Sequence, residues 1–182
     1  CSSDLRTFVA VEITDSRVLD SIKKIQSEIK IGARPIEINN LHFTLMFLGE
    51  ITEEMGQKIK NQLSTIEFFP FEISFKGLGA FPKPKFPRVI WIGLEKGGDE
   101  LVELARNVEN KLGTFGFRTD NPFKPHVTIF RMRNRIVDIT EMISKYSSKK
   151  FGNQTVNSIK FKQSILTPRG PIYSDIGVIR AK

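Results

Sequence analysis

Apolar and polar positions alternate at the start of this chain and then change period. Residues 5–13, LRTFVAVEI, begin by alternating and are rich in β-formers, which predicts a strand. In residues 15–30 the apolar positions Val18, Leu19, Ile22, Ile25 and Ile29 fall on one helical face, with Thr14 or Asp15 placed to act as an N-cap. A strand around His42 follows. The same order then recurs. Residues 88–95, RVIWIGLE, read as a strand, and residues 99–115 set Leu101, Leu104, Ala105, Val108, Leu112 and Phe115 on a helical stripe. A strand around His126 closes the second unit. Arg6 to His42 is 36 positions and Arg88 to His126 is 38, so the units match within two residues. That agreement points to an internal repeat, approximately 5–47 and 88–131.

Between the units the pattern predicts a helix over 53–66 and a strand over 71–81. A shorter helix near 137–147 and two closing strands, 158–167 and 171–181, follow the second unit, the strands joined by the turn PRG. Strands outnumber helices, and several are neighbours in sequence. This predicts an α+β fold of antiparallel sheets with helices packed outside. No low-complexity segment or long polar linker divides the chain, so residues 1–182 are expected to form a single two-lobed domain.

The 40% hydrophobic and 26% charged content is that of an ordinary globular protein. No run of eighteen apolar residues is present, so no membrane partner is expected. The opening CSSDLRTFVAVEI lacks a basic region followed by a long apolar one, and a cytoplasmic location is the default expectation. Cys1 is the sole cysteine, which excludes an intramolecular disulfide and a cysteine-based metal cluster. The net charge of +8 changes the picture more, because it favours a polyanionic partner, nucleic acid first. Its denser groups lie at 81–88, 131–135 and 149–162, and Lys83, Lys85, Arg88, Arg131, Arg133 and Arg135 are expected to hold an RNA backbone.

The two histidines are the chemical signal. Each is followed two places later by threonine, as HFT at 42–44 and HVT at 126–128. Threonine fills 11 of 182 positions, so both coincidences together have odds of roughly one in 270, (11/182) squared. Alternation puts His42, Thr44 and Met46 on one face and Phe43, Leu45 and Phe47 on the other, and it puts His126 with Thr128. If a pseudo-two-fold axis relates the lobes, the two pairs face each other across a central cleft. Two imidazoles and two hydroxyls suit phosphate-ester cleavage. One imidazole takes a proton from water, the other gives one to the leaving oxygen, and the hydroxyls hold the phosphoryl oxygens. Zinc would need three or four ligands, and two histidines 84 positions apart make no recognisable site.

The segments NLHFTLMFLGE and PHVTIFR resemble the paired His-x-Thr motifs of the 2H phosphoesterase superfamily. The nearest branch is the archaeal and bacterial RNA 2′,3′-cyclic phosphodiesterases, also known as 2′-5′ RNA ligases. The resemblance runs nearly the whole chain, through RTFVAVEI, FPKPKFPRVIWIGL and SILTPRGPIYSDI. It implies two pseudo-symmetric lobes around a cleft, a monomer acting on RNA, and no metal or other cofactor. It implies His42 as the proton donor to the leaving 3′ oxygen, His126 as the proton acceptor from water, and Thr44 and Thr128 as holders of the phosphate. It further implies Arg131 on the phosphate, Phe8 as a ring stacked on a base, and Tyr173 in a similar part. From the residues themselves, Arg131 is equally a surface arginine and Phe8 equally a core ring. Strict alternation in fact places Arg131 opposite His126, so it reaches the phosphate only if the strand bulges or ends there. Two other functions fit the same residues: a non-catalytic RNA-binding protein, and an esterase for 2′-5′ oligonucleotides or small cyclic nucleotides.

Overall fold

Asp15 does cap the first helix: its carboxylate accepts from the backbone N–H groups of Arg17 and Val18. The computed structural model describes residues 5–133 and 136–182, so Cys1 and Arg135 lie outside the described residues. In the first unit β1 (Leu5–Glu12) leads to α1 (Ser16–Glu28), the short β2 (Ala33–Pro35) and β3 (His42–Ile51). Then come α2 (Glu53–Leu63) and β4 (Phe71–Phe81). The second unit is β5 (Val89–Lys96), α3 (Gly98–Leu112) and β6 (Val127–Met132). After it follow α4 (Thr140–Lys145), β7 (Lys150–Val156), β8 (Ser158–Thr167) and β9 (Gly170–Arg180).

Among the described residues the strands form two antiparallel sheets, ordered β3–β1–β8–β9 and β2–β6–β5–β4–β7. The orders correspond strand for strand. β3 beside β1 matches β6 beside β5, β8 and β9 match β4 and β7, and β2 is an added edge. This is the α+β architecture the pattern called for, with two strands it did not reveal. β2 has three residues and ends in Pro35, which keeps a strand to the edge of a sheet. β7, KFGNQTV, buries Gln154 among its inward positions, which hides the alternation.

The helices differ from expectation in which sheet they cover. α1 lies mainly against β7, and α3 chiefly against β3 and α2, so each unit's helix covers the other unit's sheet. Close approach makes this possible at Gly152, whose φ is +112° and where a Cβ would stand 3.1 Å from Val18. Gln154 secures the crossing: its side-chain oxygen accepts from the N–H groups of Thr14 and Asp15, and its amide donates to Glu12 O. A buried amide satisfied in this way holds the end of β1 and the start of α1 to the second sheet. One hydrophobic core, fed by both sheets and by α1, α2 and α3, results. Directly beneath the first histidine motif, Phe43 of β3 stacks on Phe75 of β4 at 5.9 Å.

Candidate active site

His42 opens β3 and His126 immediately precedes β6, and in both strands the alternation holds for His-x-Thr and then breaks. Along β3, Phe43 and Leu45 are buried while His42 and Thr44 line a cleft. Met46, however, is buried at 2% exposure, and Phe47 stands 59% exposed on the cleft wall. The register against β1 passes from Val9–Met46 to Ala10–Thr44 and skips Leu45. This bulge turns two successive side chains inward and reverses the phase beyond them. Met46 therefore leaves the cleft face that strict alternation gave it, and Phe47 enters. β6 does the same: its register against β5 passes from Ile90–Phe130 to Trp91–Thr128 and skips Ile129. Ile129 and Phe130 are both buried, and Arg131 comes round to line the cleft beside His126 and Thr128. The condition set for Arg131 is met by a bulge.

Both imidazoles are oriented by their own chain. His42 Nδ1 donates to the carbonyl of Asn40 at 2.7 Å, and His126 Nδ1 donates to that of Lys124 at 2.6 Å. Each bond favours the tautomer with hydrogen on Nδ1, which leaves the lone pair on Nε2. His42 Nε2 lies 3.0 Å from the Thr44 hydroxyl, which donates to neutral imidazole and accepts from imidazolium.

Aromatic rings hold the imidazoles in place. Phe8 stacks on His42 with centroids 5.0 Å apart, and Tyr173 meets the His42 ring edge-on at 5.5 Å. Phe8 is 5% exposed, so its ring in this structure supports the imidazole. On the other side, Phe81 meets His126 edge-on at 5.0 Å and Trp91 lies at 6.0 Å. Trp91 occupies the space over Gly79, where any Cβ would come within 2.1 Å of the indole. Phe81 and Trp91 are residues the sequence reading missed, because their approach to His126 depends on how β4, β5 and β6 pair.

Burial lowers the His42 pKa below its ordinary value. The Asn40 hydrogen bond and Glu12 pull the other way, and the positive charges of Lys162 and Arg131 add to the lowering. Lys162 belongs to a cluster next to that ring. Its ammonium bonds to Glu12 and, at 2.8 Å, to Asp175, while Lys160 joins Glu12 at 3.2 Å and Asp175 at 2.9 Å. Burial also raises the Tyr173 pKa, against the pull of Arg131 and Lys162, so the phenol stays protonated at neutral pH.

The cleft encloses about 620 Å³ and is lined by both His-x-Thr pairs, Phe8, Phe47 and Tyr173, and by Arg6, Arg34, Arg131 and Arg169. Of the five described carriers expected on an RNA track, Lys83, Lys85, Arg88, Arg131 and Arg133, only Arg131 is among the residues lining it. Lys83 instead sits 5.2 Å over the Phe86 ring, and Lys85 lies near Asp138. The cleft's other arginines come from β1, β2 and the β8–β9 turn, where charge density along the chain gave no signal. No group of three or more potential metal-ligating His, Cys, Asp or Glu side chains occurs among the described residues. No helix among them is long and apolar enough to cross a membrane.

The family described as AKAP7 2′5′ RNA ligase-like domain matches residues 7–180. The RNA 2′,3′-cyclic phosphodiesterase of Archaeoglobus fulgidus is 46% identical over 176 residues, covering 96% of this chain and 99% of the relative. The protein of the same name from Methanothermobacter thermautotrophicus is 35% identical over 187 residues, covering 97% and 98%. In fold, the chain superposes on the apo crystal structure of Escherichia coli LigT with a TM-score of 0.82. That match is 21% identical and covers 100% and 99% of the two chains.

Proposed function

From the membership of this chain in the 2′5′ RNA ligase-like family, we propose that its cleft carries out cyclic phosphodiester hydrolysis on RNA by paired histidine acid–base catalysis. The protein is an RNA 2′,3′-cyclic phosphodiesterase. One observation carries the catalytic reading: two His-x-Thr pairs line a single cleft, each with its imidazole Nδ1 tied to a backbone carbonyl.

His126 Nε2 takes a proton from water as the water oxygen attacks phosphorus. The bond from phosphorus to the 3′ oxygen breaks, its electron pair stays on that oxygen, and His42 Nε2 donates the proton that completes the 3′-hydroxyl. A terminal 2′-phosphate remains. When a 5′-hydroxyl attacks in place of water, the same steps form a 2′-5′ linkage. A lowered pKa makes the His42 imidazolium a stronger acid toward the departing oxygen, while the anionic phosphate entering the cleft favours its protonated form. Thr44 and Thr128 donate to the non-bridging oxygens, and Arg131 neutralises the charge that builds there. Phe8 and Tyr173 keep the donor imidazole aimed.

The test is product analysis. An oligonucleotide ending in a 2′,3′-cyclic phosphate should be converted, in EDTA, to the 2′-phosphate. A 3′-phosphate product would refute the direction of opening, and binding without turnover would leave an RNA-binding protein. Thr44→Val and Thr128→Val should each lower kcat by about 10²-fold, since valine keeps shape and strand preference and removes one donor. Steady-state kinetics at unchanged rates would make the threonines packing residues.

A further inference from the structure

Arg34 stands on β2, directly opposite Arg131 on β6. Side chains so paired share a face of the sheet, with Cβ atoms about 5 Å apart. Both line the cleft. Like charges directly opposite each other on a sheet are destabilising. Among the described residues neither guanidinium has a carboxylate partner in an ion pair. Glu37, the carboxylate on the cleft wall, is no exception. Arg34 is nevertheless held in place, since its Nη2 donates at 2.6 Å to the carbonyl of Arg169 in the β8–β9 turn of the other sheet. The remaining donors of its planar fork are free for an oxyanion.

We propose that Arg34 forms a second phosphate subsite, which binds the internucleotide phosphodiester of the RNA next to the one being opened. This rests on the reading of the cleft given above. A strand that ends in a 2′,3′-cyclic phosphate has its next phosphate on the 5′ oxygen of the same terminal nucleotide. Two arginines side by side then hold two successive phosphates, Arg131 the scissile one and Arg34 its 5′ neighbour. The subsite distinguishes an RNA end from a cyclic mononucleotide, which lacks that second phosphate.

Arg34→Gln tests this with two pairs of compounds. In turnover, the wild-type preference in kcat/KM for a 3′-5′-linked dinucleotide cyclic phosphate over a nucleoside 2′,3′-cyclic phosphate should shrink by roughly 10-fold, the size of one lost charged hydrogen bond. The salt slope of dinucleotide binding should fall by about 0.7, one phosphate's worth. In titration, the dinucleotide 2′-phosphate product should lose affinity by a similar factor relative to the nucleoside 2′-phosphate. An unchanged preference in both measurements overturns the subsite, whether or not thermal stability falls with the lost Arg169 contact. The titration also separates the two ideas. If the wild type binds but does not turn over, the cyclic phosphodiesterase reading fails, and the affinity ratio still decides the subsite.

Discussion

Replacing either His42 or His126 by alanine is expected to lower cyclic phosphodiesterase kcat/KM by about 10²–10⁴-fold while leaving the fold intact, because each removes one of two essential proton carriers. Neither imidazole is a core residue on which the sheets depend; each sits at the end of its strand with one face on the cleft. The double variant should therefore be little slower than the single ones, as for groups that act as a unit. The pH dependence supplies a second readout. In the proposed mechanism one imidazole is protonated and the other neutral, so kcat/KM should pass through a maximum. Because burial lowers the His42 pKa, the limb that His42 contributes should lie on the acid side of 6.5. That limb should vanish from the residual rate of His42→Ala. A rate that climbs steadily with pH in the wild type would mean hydroxide as nucleophile, and rates near wild type in either variant would remove the histidines from the mechanism.

Lys162→Met should destabilise the protein by about 3 kcal/mol, which for a chain of this size lowers Tm by roughly 6–12 °C. The Lys162 side chain is 9% exposed and bonds two carboxylates, Glu12 and Asp175. Methionine keeps most of the apolar stem but leaves those carboxylates with Lys160 as their remaining partner. Charge imbalance next to a half-buried imidazole, more than lost packing, then dominates. Adding Glu12→Gln to Lys162→Met restores the balance and should recover part of the loss. Thermal unfolding of the two single variants and the double variant measures the coupling. Strictly additive losses would show that Lys162 acts through packing alone.

The cluster also shows how two equivalent motifs come to differ. Lys162 pairs with Phe8 across β1 and β8, whereas Trp91, the ring near the other imidazole, pairs with Gly79 across β4 and β5. One imidazole thus has ion pairs behind its supporting ring and the other has an indole lying over a glycine. Nothing in the two His-x-Thr sequences distinguishes them. The difference arises from a strand, β8, that begins 114 positions after Thr44 (158 − 44), and from a glycine whose meaning depends on what lies across the sheet.

What this sequence determined by itself is what repeats along the chain. Apolar positions at intervals of two and of three to four set the type and order of nearly every strand and helix, because burying one face is a local requirement that each segment must meet on its own. The recurrence of strand, helix and His-x-Thr strand likewise singled out the two histidines and two threonines that line the cleft, since a side chain two places on in a strand shares its neighbour's face whatever the sheet around it. Only the tertiary structure decided what depends on register between segments. The bulges that bring Phe47 and Arg131 into the cleft are slips of one strand against its partner, and the count of residues within a strand does not contain them. Arg34 joins the site through a three-residue edge strand too short to carry a period. The covering of each sheet by the other unit's helix is settled by close contacts such as Val18 against Gly152. Periodicity reports which face a residue must bury, and the partner that buries it is chosen only when the whole chain competes for the same core.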